Sequence, residues 1–208
     1  MDSQARFIRS LAVVLTLGSI AASPSAQALP GQSSDDVLQW MKANPGLNPS
    51  PGEKLTVRRN NGPAQRLTFE ASLLAPGRIL PSRSGGHIRT ETLTIFDMLY
   101  GVTDARLDES LRSIYGASVH RDFQTAKVIY RYPTDEAARE ALTSAGRSKT
   151  PTANPLKGEL RKGQQFAYWI EIIRNPNGLN YGGKVMVFLP EDLPKLESEI
   201  KARSLEIK

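Results

Sequence analysis

Leu55 and Val57 alternate with Thr56 and Arg58, and Leu67, Phe69, Ala71 and Leu73 alternate with Thr68, Glu70 and Ser72. A period of two is the mark of a half-buried strand, so Lys54–Arg59 and Gln65–Leu73 are predicted strands. Asn60-Asn61-Gly62-Pro63 between them is turn chemistry, because Asn and Gly tolerate positive φ, and the pair reads as a hairpin. His87–Tyr100 is a third, longer extended stretch, and Phe123–Tyr132 a fourth that Pro133 ends. Gln164–Arg174 and Lys184–Leu189 are strongly apolar and read as paired strands, joined by Asn175-Pro176-Asn177-Gly178 and its neighbours.

Helical spacing appears between these segments. Over Thr103–Tyr115, Leu107, Leu111, Ile114 and Tyr115 form one stripe, Thr103 or Asp104 supplies the cap, and Gly116 ends the helix. Thr134 caps another, with Ala137, Ala138, Ala141, Leu142 and Ala145 on one side and Gly146 closing it; Arg147–Pro155 follows as a surface loop. The last helix uses Leu193, Leu196 and Ile200, with Glu191 and Asp192 early and Lys201 and Arg203 late, as the helix dipole prefers. Nearer the N-terminus, Ser33-Ser34-Asp35-Asp36 caps a short helix carrying Val37, Leu38, Trp40 and Met41, and Asn44-Pro45-Gly46 stops it. Asn48-Pro49-Ser50-Pro51-Gly52 is a stiff linker, so residues 29–52 are expected to form a lead and an N-terminal flap. The order predicts an α+β fold: a mainly antiparallel sheet with three to four helices packed on it, one domain over residues 53–208.

Residues 1–28 read as a secretory signal peptide. Arg6 and Arg9 precede the apolar run Leu11–Ala22, and Ala26-Gln27-Ala28 is an A-x-A cleavage signature, which puts the cut between Ala28 and Leu29. A segment of 12 residues falls short of the roughly 20 that a spanning helix needs. The expected destination is therefore periplasm, lumen or the outside by the general secretory route, with no membrane span after processing. Losing Arg6, Arg9 and Asp2 lowers the net charge from +6 to +5. That mild excess favours an anionic envelope component or another protein as partner, while nucleic acid is excluded by compartment and by the lack of a polybasic run.

Composition narrows the chemistry further. A 208-residue chain with 39% hydrophobic and 23% charged residues is an ordinary soluble globular chain. Cysteine is absent, which removes disulfides, thiol nucleophiles, thiolate zinc sites and cysteine-held iron–sulfur clusters. His87 and His120 are the only histidines, and no EF-hand spacing occurs, so neither metal nor cofactor is expected. Gly178–Lys184 reproduces G-x-x-x-x-G-K, but Val185 stands where the phosphate loop requires Ser or Thr, and the residues after it read as strand instead of helix.

No nucleophile elbow or H-E-x-x-H is present, nor an S-x-x-K with its partner motifs. The candidate acid or base groups are Asp97, on a strand face with Ile95 and Leu99, and Glu171, on a face with Trp169 and Ile173, with His87 and His120 beside them. A carboxylate on an apolar face has a raised pKa unless paired, and Arg174, Lys184 and Arg89 are the partners at hand. Phe166, Tyr168 and Trp169 beside Arg161 and Lys162 offer stacking surface or sheet core. Pro76–Arg89 carries Arg78, Arg83 and Arg89 with His87, Ser82, Ser84 and Gly85-Gly86, a set suited to gripping carboxylate, phosphate or sulfate.

The opening LPGQSSDDVLQWMKANP, the hairpin KLTVRRNNGPAQRLTFEASLL and the stretch FDMLYGVT make residues 29–189 resemble uncharacterised exported proteins of cyanobacterial type. That resemblance implies an envelope or lumenal setting and transfers no catalytic residue. The expected function is a non-catalytic exported accessory or binding protein acting through surface contacts, with an anionic ligand or partner. The alternative is an exported hydrolase using Asp97, Glu171 or a histidine as acid or base. A cleft that gathers those groups favours the enzyme; an exposed apolar or basic patch favours the binder.

Overall fold

The first hairpin forms as its alternation requires. β1 (Thr56–Asn60) pairs antiparallel with β2 (Gln65–Ser72), with Val57 opposite Phe69. The computed structural model describes residues 29–78, 86–132, 156–175 and 178–206. The leader and its cleavage site, the helix expected from Thr134, and Ser82, Arg83, Ser84 and Gly85 lie outside those residues.

Five more strands extend the sheet: β3 (Thr90–Asp97), β4 (Lys127–Tyr132), β5 (Leu156–Lys162), β6 (Ala167–Arg174) and β7 (Asn180–Phe188). Their order is β1-β2-β3-β7-β6-β5-β4, and every neighbouring pair is antiparallel. Among the described residues three helices complete the chain: α1 (Ser34–Ala43), α2 (Asp104–Thr125) and α3 (Leu193–Glu206). The protein is thus a single α+β domain.

The period of two divides the sheet into two buried faces. Val57, Phe69, Leu93, Ile95, Val185, Val187, Tyr168, Ile170 and Ile172 share the face that α1 and α2 cover. α1 and the turn after it pack on the sheet, with Val37, Met41 and Leu47 buried in that same core. On the reverse face Leu193, Leu196 and Ile200 of α3 close over Tyr132, Leu160, Ala167, Trp169 and Phe188. Each such side chain contributes about 1.5–3 kcal/mol by leaving water.

The first helical segment of α2 ends at Gly116 as expected, and a second segment follows it. That glycine does break the helical geometry, with φ at 77°, but the chain turns helical again and runs to Thr125. Leu107, Leu111, Tyr115, Val119 and Phe123 recur every four residues across the kink and are all buried. Phe123 therefore belongs to the helix, and β4 starts only at Lys127. β5 was not expected from its charged sequence; its Glu159 sits between Arg131 of β4 and Arg161, at 2.9 Å from each.

α2 meets the sheet where β7 has no side chain. A Cβ on Gly183 would lie 2.6 Å from Val102 Cγ1 and 3.0 Å from Leu107 Cδ2. Gly183→Ala should therefore lower stability by about 1–3 kcal/mol through overpacking, read as a shift in the urea midpoint. A loss below about 0.5 kcal/mol would mean that α2 can slide on the sheet at little cost.

Candidate functional site

The sheet end where β3 passes into α2 carries the largest exposed apolar side chains of the described residues. Met98, Leu99 and Tyr100 are 43%, 61% and 81% exposed. The expected extended stretch through Tyr100 stops instead at Asp97, and the chain turns there because Asp97 captures its backbone. The fully buried Asp97 carboxylate accepts from the Leu99 and Tyr100 amides at 2.9 Å each, from Arg106 Nη1 at 2.6 Å and from Gln65 Nε2 at 2.9 Å. Burial alone would raise its pKa, but the donors of Tyr100, Arg106, Leu99 and Gln65 outweigh it and hold the carboxyl well below the ordinary range. Arg106, not Arg174, Lys184 or Arg89, is its partner.

The turn is fastened on two further sides. The Met98 amide donates to Ala64 O at 2.9 Å, and the Val102 amide to Asn180 O at 2.6 Å. Gly101 has φ at 75° and lies so close to β7 that a Cβ would stand 3.0 Å from Asn180 O. Beside the turn, Phe96 and Tyr181 meet edge to face at 5.9 Å, with the Arg66 guanidinium 5.5 Å from the Phe96 centroid. Exposed Arg174 donates to Asn180 Oδ1 at 2.8 Å. The result is an apolar tip on a fixed backbone, flanked by two arginines.

The other carboxylate candidate is on the opposite face of the sheet. Glu171 stands opposite Lys184, which stands opposite Thr94, three residues and therefore one face away from Asp97. Tyr132, Gly158, Glu171 and Lys184 form one row across β4, β5, β6 and β7. Gly158 leaves room for the Tyr132 ring, whose hydroxyl donates to Glu171 at 2.5 Å and accepts from Trp169 Nε1 at 2.7 Å. Lys184 pairs with Glu171 and holds its ammonium 3.6 Å from the Trp169 centroid. This buried row ties four strands together.

The histidines join neither carboxylate. His120 Nε2 lies 3.1 Å from both oxygens of Asp108, 12 residues back along α2 and across the break at Gly116. His87 bridges to Ser33 beside α1. Asp97, Glu171, His87 and His120 thus occupy separate places. In the Pro76–Arg89 segment Arg78 is exposed, whereas Arg89 is committed to the fold, gripping Asp192 through Nε and Nη2 and Glu191 through Nη1 at 2.7 Å. Lys184 and Val185 lie inside β7, so no helix follows the G-x-x-x-x-G-K segment. Phe166, Tyr168 and Trp169 are buried, as sheet core requires.

Two buried acids escaped the sequence reading. Asp122 accepts from the Gln164, Gln165 and Phe166 amides at 2.8–3.2 Å and from the Tyr168 hydroxyl at 2.7 Å, pinning the β5–β6 turn to α2. Glu91 is wholly buried between Ala71 and Val187, and neither of its oxygens, nor the Tyr115 hydroxyl it faces, makes a hydrogen bond of standard geometry. Its parity with Leu93, Ile95 and Asp97 was the available signal. A shallow cleft of about 140 Å3 runs between α2 and β5, but its rim charges are matched in pairs, Lys157 with Asp104 and Arg161 with Glu159, each at 2.9 Å. Among the described residues no group of three acids or histidines is placed to hold a metal ion, and no helix is long and apolar enough to cross a membrane. No protein-family model, curated protein or solved structure matches the chain.

Proposed function

We propose that the protein is an exported, non-catalytic binding protein that works by surface contact, with the Met98–Tyr100 tip as its contact element and an anionic partner. The observation that carries this reading is the combination of exposure and fixation. Three consecutive large apolar side chains face water on a turn whose backbone is held by Asp97, Ala64 and Asn180. Scattered exposed apolar residues need no explanation, but a contiguous set on a rigid turn limits the entropy lost on binding. The hydrolase reading draws no comparable support, because its candidate residues are not brought within reach of one another.

A benzophenone amino acid placed at Tyr100 and, for comparison, at exposed Arg112 on α2 tests the proposal in cells that make the protein. Irradiation should give a defined adduct from position 100 and none from position 112. Equal labelling from the two positions, or no adduct at 100, would overturn it.

A further inference from the structure

We propose that the tip docks on a membrane surface containing anionic lipid, with Met98, Leu99 and Tyr100 at the boundary of headgroups and acyl chains and Arg66 and Arg174 against the lipid phosphates. This rests on the surface-contact reading above and names its partner. Three chain segments meet at this end of the sheet: 60–66, 96–103 and, among the described residues, 174–175 with 178–182, joined through the Met98–Ala64 and Val102–Asn180 hydrogen bonds. In sequence they hold two cations, Arg66 and Arg174, and one carboxylate, Asp97. Asp97 is fully buried and neutralised by Arg106, so the charge this end shows to solvent is positive. Asp104, the nearest exposed acid along the chain, is paired with Lys157 at 2.9 Å.

The side chains match the layers of a lipid interface. Leucine and methionine are aliphatic, and tyrosine carries a polar hydroxyl on an apolar ring, the combination found at headgroup depth. Both arginines are anchored by a ring or an amide beside the turn, Arg66 over Phe96 and Arg174 on Asn180, so the cations ring the apolar residues. A stable protein interface needs about 800 Å2 of matched surface on each side, far more than three side chains offer. A fluid bilayer adapts to a small apolar knob, and anionic headgroups gather around the cations without a preformed pocket. The area is small, so attachment is weak, reversible and dependent on both apolar contact and charge.

The test uses the protein as its own cells process it, floated with vesicles of phosphatidylcholine alone or with roughly one-third phosphatidylglycerol. Association is expected with the anionic vesicles only, and should fade as salt rises above about 0.15 M. Leu99→Ser with Tyr100→Ser should abolish it while leaving the thermal midpoint unchanged, since both side chains are exposed. Arg66→Ala with Arg174→Ala should weaken it on the order of 30-fold, at about 1 kcal/mol for each cation. Equal binding to neutral vesicles, or anionic binding that survives both double variants, would overturn the lipid assignment. Absence of vesicle binding together with a protein adduct at position 100 would overturn it too, yet leave the surface-contact reading standing. Loss of both the adduct and the vesicle signal would remove the two together.

Discussion

Glu91→Gln should make the protein more stable at pH 8 and nearly indifferent to pH between 5 and 8, where the parent chain loses stability steadily. Burial between β2, β3 and β7 under α2 strips water from the Glu91 carboxyl, and the weak help of the Tyr115 hydroxyl does not replace it; the pKa is pushed up to about 8. In the unfolded chain the group titrates near its ordinary 4.5. Below that value both states are protonated and burial carries no ionic penalty. Between the two values only the unfolded chain releases its proton, so stability falls by about 1.4 kcal/mol per pH unit as pH rises. Above pH 8 both states are ionised and the loss levels off, at a total on the order of 4–5 kcal/mol. That is a large part of the 5–15 kcal/mol that holds an ordinary domain together. Carboxylates with depressed values, Asp97 among them, act with the opposite sign and only in the acid range, outside this window. Urea titrations of the two proteins at several pH values isolate Glu91, because every other group is common to both. Parallel curves for parent and Glu91→Gln would refute the prediction.

The same residue shows where sequence reading stops. Alternation in β2, β6 and β7 is legible because each carries a full row of apolar side chains on the face that meets a helix. In β3 the buried row is Glu91, Leu93, Ile95 and Asp97, with carboxylates at both ends, and an apolar pattern alone does not distinguish a buried acid from a strand terminus. α2 was half legible: Leu107, Leu111 and Tyr115 mark its first segment and the positive φ of Gly116 ends that segment, but the helical segment that resumes and runs to Thr125 was not read. β5 was hidden because its exposed-looking charges are matched across strands: Glu159 needs Arg131 of β4, and that pairing exists only once the sheet is formed. Of the candidate site only Asp97 was singled out in the sequence; FDMLYGVT carried a resemblance and no site, and its turn depends on Gln65 and Arg106, 32 and 9 positions from Asp97. The ion pairs of Arg89 were hidden for a similar reason, because Glu191 and Asp192 lie a hundred residues away in sequence and beside it in space.

Removing the Asp97 carboxylate should cost both stability and the tip. In Asp97→Ala the Leu99 and Tyr100 amides, Arg106 and Gln65 lose an acceptor that is fully buried. Breaking a buried, hydrogen-bonded ion pair costs about 3–5 kcal/mol. The lower end applies here, because Arg106 keeps 41% of its side chain in water and recovers hydration when released. Asp97→Asn retains one acceptor oxygen but discards the charge and turns two donors toward donors, so its loss should be about half as large. Arg106→Ala should cost least of the three, since it leaves the carboxylate its amide partners and Gln65. The order of the three urea midpoints therefore reports whether the amides or the arginine dominate. Amide exchange adds a local reading: in Asp97→Asn, exchange should quicken at Leu99 and Tyr100 while β6 and β7 keep their protection. Contact by the tip, assayed by the position-100 adduct, should weaken in the same variant although Met98, Leu99 and Tyr100 are all still present. A folded Asp97→Asn protein with unchanged exchange at those amides would show that the turn holds itself, and that Asp97 is not what keeps the tip in place.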